Sequence, residues 1–176
     1  MTFAAGGIGA CALDKPPLAL RWTDMRAPIS AFLLVLVPAL FLADPAAADS
    51  CGDLIDRVVA ETQARLVNRT TDFAELGAAD GIGMTLACGD LSATGVQYKG
   101  TPLPAGYFAL VGRAGHAVTG LGADSIAAAA TKAHEAATTT RHSKIDLGAA
   151  LVTCSVSEMG GRPVTACAVI QKGDRT

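Results

Sequence analysis

What this chain lacks narrows it before anything it contains. It holds one Trp, two Tyr and five Phe, and beyond residue 48 the aromatics reduce to Phe73, Tyr98, Tyr107 and Phe108. Aromatic side chains carry the largest burial energies. A core made mainly of Ala, Val, Leu and Ile gains less per residue, at roughly 25 cal/mol per Å² of apolar surface. Such a domain profits from covalent bracing. A basic excess is missing too, because the formal net charge is −2, so neither nucleic acid nor an anionic membrane is an expected partner.

The sequence is equally short of chemistry. Its three histidines, His116, His134 and His142, never stand at the i, i+4 spacing that puts two imidazoles on one helix face, so no metal site is expected. A C-x-x-C pair is absent. Ser92 and Ser125 lack the G-x-S-x-G setting of a nucleophile elbow, and no catalytic residue is expected. Gly120-Leu121-Gly122-Ala123-Asp124-Ser125 has the place of a dinucleotide-binding turn, but Ser stands where the third glycine belongs. It reads as a glycine turn with a helix cap. The backbone N–H groups of that helix start are a weak remnant that could hold a small anion. No cofactor is expected.

What is present begins with a leader. Arg26, the apolar run Ala27 to Ala43, and Asp44-Pro45-Ala46-Ala47-Ala48 ahead of Asp49 are the basic, apolar and small-residue parts of a secretory signal peptide, cut after Ala48. The reading divides the chain into residues 1–48, an N-terminal extension and signal peptide with the leader at 25–48, and residues 49–176, a single mature α+β domain. The protein is expected to be secreted or periplasmic. Pro38 interrupts the apolar run, which argues against an anchor, and no stable membrane span is expected after leader removal. Lipidation at Cys51 is disfavoured, because Asp49-Ser50 precede it where small apolar residues would be needed. Met25-Arg26 makes an ordinary leader start, so translation is expected to begin at Met25 rather than Met1. A peptide spanning Thr2 to Thr23 in a digest of the precursor would overturn that expectation.

Four cysteines follow the leader: Cys51, Cys88, Cys154 and Cys167. An even count in an exported domain reads as two disulfides. Gly160-Gly161 suits a two-residue hairpin turn, since both positions accept positive φ. Counting outward from that turn, Met159 faces Arg162, Glu158 faces Pro163, and Cys154 faces Cys167. Pro163 then falls at a non-hydrogen-bonded position of this hairpin, where its missing N–H costs nothing. Its outward N–H is also absent, so the second strand is expected at an edge, at least at its start. Cys51 pairs with Cys88 by elimination.

Helical spacing links Cys51, Leu54, Ile55, Val58, Val59, Thr62 and Leu66, with Ser50 and Asp53 resembling a capping box. Asn68-Arg69-Thr70 fits a glycan acceptor pattern, and reads as the polar end of that helix. Ile82 to Cys88 alternates as a strand, Val96 to Lys99 adds a short one, and Tyr107–Val111 and Ala114–Thr119 read as two more. A second helix is expected from Asp124 or Ser125 to about Thr138, burying Ile126, Ala129, Ala130, Ala133 and Ala137. The expected fold is α+β, a two-layer sandwich: an antiparallel sheet of four or five strands with two helices on one face, ending in a disulfide-bridged hairpin.

The Pro/Gly-rich segment from Thr94 to Gly106, with Tyr98, Lys99, Leu103 and Tyr107, is the expected binding loop. The function expected is a non-enzymatic binding or interaction protein for an unknown protein or small ligand. The alternative is an enzyme or cofactor carrier with a site built from dispersed residues around His116, such as Arg113 and Tyr107.

Overall fold

The computed structural model describes residues 50–89 and 91–173, apart from the side chain of Ser50, all within one unit of the chain, Ala43–Thr176. The leader and its cut lie outside the described residues.

The first apolar period forms α1 (Ser50–Thr62), which carries Asp53 in its first turn, where a carboxylate complements the helix dipole. Leu54, Ile55, Val58 and Thr62 are buried. The helix ends earlier than its spacing predicts. Gln63 adopts φ 58 and donates its N–H to the Val59 carbonyl at 2.9 Å, a left-handed stop that turns the chain away. Leu66 therefore leaves the helix and joins β1 (Arg65–Arg69), an outer strand with every residue exposed. Asn68-Arg69 also lies on this strand, not on a helix end.

A meander follows: β2 (Phe73–Gly77), β3 (Gly83–Ala87) and β4 (Ala93–Lys99). Two helices come next, α2 (Tyr107–Thr119) and α3 (Ala123–Thr140). A second meander closes the chain: β5 (His142–Asp146), β6 (Ala150–Met159) and β7 (Arg162–Gln171). The result is one antiparallel sheet in the order β1-β2-β3-β4-β7-β6-β5. The α+β class is as expected, but the sheet has seven strands instead of four or five, and among the described residues three α-helices accompany it instead of two, with one 3-10 turn at Ala79–Gly81.

The two strands expected over 107–119 are the helix α2. Its buried residues are Tyr107, Leu110, Val111, Gly112, Ala114, Gly115 and Val118, recurring at intervals of three and four that no strand could bury on one side. Two glycines sit on this face because neighbours come too close for a Cβ. At Gly112 a Cβ would press on the Ala123 carbonyl oxygen, and at Gly115 it would come 2.9 Å from Val169 Cγ2 and 3.0 Å from Ile126 Cγ2. Gly112→Ala is expected to lower the urea midpoint. It gains about 1 kcal/mol of helix propensity and loses about 1 to 3 kcal/mol through overpacking. A raised midpoint would mean that the start of α3 yields.

α3 buries Ile126, Ala129, Ala130, Ala133 and Ala137, the face its sequence predicts. The short alanines let it lie close to the sheet. Strand residues beneath the helices alternate with outward ones: Ala74, Leu76, Met84, Leu86, Thr94, Val96, Val152, Cys154, Cys167 and Val169 are buried.

The closing hairpin has the expected register, Met159 opposite Arg162, Glu158 opposite Pro163 and Cys154 opposite Cys167, with Gly160 at φ 60 and Gly161 at φ 73. The Cys154–Cys167 bridge spans a Cα separation of 4.1 Å, as a non-hydrogen-bonded pair allows. The Cys51–Cys88 bridge, at 5.5 Å, ties the start of α1 to the end of β3. The edge expected for the second strand holds only at its start: Arg162 and Pro163 have ladder partners in β6 alone, and from Val164 opposite Lys99 to Ile170 opposite Ala93 β7 is an interior strand beside β4. That ladder stops beside Pro163, whose carbonyl still accepts the Gly100 N–H at 2.9 Å. The missing proline donor coincides with the point where β4 departs.

Candidate functional site

The four residues of the expected binding loop differ in exposure. Tyr98 and Lys99 end β4 and alternate in exposure, Tyr98 half-buried and Lys99 exposed. Leu103 packs half-buried on the core. Tyr107 is fully buried at the start of α2, where its hydroxyl donates to the Val96 carbonyl at 2.7 Å and lies 3.4 Å from the Thr165 carbonyl. It clips the helix to β4 and β7.

Burial pushes the Tyr107 phenol well above its ordinary range, opposed by a backbone hydrogen bond at Cys167. The sign follows from linkage: the unfolded phenol ionises near pH about 10 while the folded one resists, so its stabilising contribution is complete below that pH and is lost as pH rises. Tyr107→Phe is expected to lose about 1 kcal/mol near neutral pH, and to unfold with a weaker alkaline dependence than the parent. Urea melts at neutral and alkaline pH, with absorbance titration of the phenols, read both effects. Equal alkaline slopes would refute them.

Of the residues offered for a dispersed site, Tyr107 stands away from His116, while Arg113 is its i, i+3 neighbour. Tyr107 and His116 are nine residues apart on α2, about 13 Å along its axis at 1.5 Å per residue. Arg113 lies one turn before His116 on the same helix. His116 Nδ1 is 2.8 Å from the Leu121 carbonyl. A carbonyl only accepts, so Nδ1 carries the proton and Nε2 is left as the acceptor. His134 stacks at a tilt on Phe108, with ring centroids 5.4 Å apart, and its buried Nδ1 has no hydrogen-bond partner among the described residues. His142 opens β5 opposite Ser155. Among the described residues no group of His, Cys, Asp and Glu has the geometry of a metal site.

What the sequence concealed is a groove of about 950 Å³ assembled from four separate parts of the chain. α1 contributes Leu54, Arg57, Ala60 and Glu61; the turn after β3 contributes Cys88, Gly89 and Ser92; α2 and its C-cap contribute His116 to Gly120; and β7 contributes Gln171. The Cys51–Cys88 bridge holds the first two walls together. Thr119 is occupied on the helix, donating to the Gly115 carbonyl at 2.8 Å and accepting from the Leu121 N–H at 3.2 Å. Apolar lining from Leu54, Ala60, Ala117 and Val118 beside Arg57, Glu61, Ser92, His116 and Gln171 can hold a ligand that has both apolar and polar parts. The sequence singled out His116 for a dispersed site and Cys88 for a disulfide, but nothing in it joins them to the other lining residues, which only the fold brings together.

Among the described residues no helix is long and apolar enough to cross a membrane. Two disulfides fit an oxidising compartment. No known protein family, curated protein or solved structure matches the chain.

Proposed function

We propose that this is an exported, non-enzymatic binding domain, with residues 25–48 as the leader removed after Ala48, and that a small ligand sits in the groove beside His116. The observation that carries the reading is the groove's make-up: apolar and polar side chains in near-equal share, charges of both signs, and a covalent brace on its rim. The disulfides support a secreted or periplasmic address.

Two experiments test it. Intact mass of the exported protein, with and without reduction, should give a chain starting at Asp49 with two bridges; four thiols that label without reduction would overturn the address. For the site, native mass spectrometry and amide-shift mapping of a fragment library should place ligands at Ala60, Ser92 and His116. Ala60→Trp fills the groove from an exposed position of α1, and should abolish those shifts with the fold intact. Shifts that survive in Ala60→Trp, or none in the parent, would defeat the reading.

The second reading, an enzyme or cofactor carrier centred on His116, draws on the free Nε2 left by the Leu121 hydrogen bond. A bound chromophore or organic cofactor in the purified protein would favour it over simple binding.

A further inference from the structure

Among the described residues, the helices cover the face of the sheet that carries the buried strand side chains, and none lies on the other. Three rows of side chains run across that outer face. The middle row reads Glu75, Thr85, Gly95, Ala168, Thr153, Lys144, in order from β2 to β5. A row toward one end of the strands reads Gly77, Gly83, Gln97, Ala166, Ser155, His142, and one toward the other end reads Phe73, Ala87, Ala93, Ile170, Leu151, Asp146. Charge sits at the ends of the middle row, and its centre carries only the small Gly95 and Ala168, with Thr85 Oγ1 leaning to 2.8 Å from where a Gly95 Cβ would lie.

We propose that a second copy of this chain docks on this face, sheet against sheet, about a two-fold axis that runs along the strands between Gly95 and Ala168. Such an axis reverses each row onto itself. Glu75 then meets the partner subunit's Lys144, and Lys144 meets the partner subunit's Glu75. Thr85 meets the partner subunit's Thr153, two hydroxyls that can exchange a hydrogen bond.

The same operation matches large side chains to small ones. Ile170 falls over the partner subunit's Ala93, Leu151 over the partner subunit's Ala87, and Gln97 over the partner subunit's Ala166. His142 falls over the partner subunit's Gly77, where the paired glycines 77 and 83 floor a hollow of about 510 Å³. One pairing is poor: Phe73 lands on the partner subunit's Asp146, a rim carboxylate already held by Lys172 at 2.9 Å. A single rim mismatch does not set the affinity of an interface, whose energy concentrates at its centre.

The size is sufficient. Six strands spaced about 4.8 Å apart, with five residues each rising about 3.4 Å, project roughly 500 Å². Side-chain relief raises the accessible area toward the about 800 Å² per partner of a standard interface. Packed sheets cross at about −30°, which displaces the row ends by about 6 Å and leaves Glu75 and the partner subunit's Lys144 within side-chain reach. The groove beside His116 lies among the helices on the opposite side, so this docking and ligand binding there stand or fall separately.

Sedimentation velocity of the purified protein, from micromolar to submillimolar concentration, tests the proposal. The parent should associate to a dimer. Glu75→Lys alone and Lys144→Glu alone should each weaken it by tenfold or so, and the two together should restore it, since the reversed charges meet again. Ala168→Arg at the axis should leave a monomer with unchanged circular dichroism. A parent that is monomeric throughout, or that pairs only with a different protein, overturns the proposal. So does a dimer that ignores all three changes, or one that the double reversal fails to rescue.

Discussion

Replacing Cys51 and Cys88 together with alanine is expected to lower the unfolding free energy by about 4 kcal/mol. The bridge closes a separation of 37 residues, and loop-entropy reasoning assigns about 4 kcal/mol to a loop of that length and about 3 kcal/mol to the 13-residue separation of Cys154 and Cys167. Against a total of about 5 to 15 kcal/mol for a domain, the longer bridge is a large share. It also has a local task. Cys51 is buried at the start of α1, so without the tie to Cys88 the helix rests on the apolar contacts of Leu54, Ile55 and Val58. Urea unfolding of the double variant should show a lower midpoint, and amide exchange should accelerate first along α1. A loss below about 1 kcal/mol would show that packing alone holds the helix, contrary to the entropy argument.

Ile126→Ala is expected to cost as much or more, in the upper part of the about 2 to 5 kcal/mol typical of such truncations. Ile126 is fully buried on a helix face otherwise made of Ala129, Ala130, Ala133 and Ala137. Its neighbour on α2 is Gly115, whose Cβ position lies 3.0 Å from Ile126 Cγ2. Neither alanine nor glycine can reach into the space left behind, so the cavity stays open and the cost stays high. A double-mutant cycle sharpens the test. Gly115→Ala should be better tolerated in the Ile126→Ala background than alone, because two of the three close contacts at that Cβ, Ile126 Cγ2 and Cδ1, are gone. Additive losses would mean that Val169 alone, at 2.9 Å, sets the limit.

The parts of the fold legible in the sequence are those whose register is counted from a local feature. The Gly160-Gly161 turn dictates which residues oppose each other, and the Cys154–Cys167 pairing followed from it. The buried stripe of α3 was readable because a single period runs through it from Ile126 to Ala137. α2 was hidden for the opposite reason. Tyr107-Phe108-Ala109-Leu110-Val111 is a run of strand-forming types, and Gly112 and Gly115 are poor helix formers whose value lies in contacts with Ala123, Ile126 and Val169. Tertiary contact, which no local window contains, decides that segment. β1 was lost in the helical period because Leu66 keeps the spacing, while the stop at Gln63 uses a residue with no special turn preference. β2 and β5 alternate weakly: outward Phe73 breaks the pattern of β2, and β5 turns Ser143 and Ile145 inward, both only half-buried. The groove was beyond reach because its walls come from residues more than a hundred positions apart, Leu54 and Gln171 among them.

The strand order has a temporal side. β1 through β4 can zip up as each emerges, and so can β5 through β7, because every neighbour within those sets is adjacent in sequence. The seam between β4 and β7 is different, joining residues more than sixty positions apart. Until it shuts, two half-sheets each show an open rim, the arrangement most prone to sticking to strangers. The helical pair α2 and α3 occupies the interval between the halves, and Tyr107 bonds to Val96 while lying beside Thr165, astride that seam. This hydroxyl is placed to draw the two halves together, so the slowest step of folding should be the one that its loss delays most.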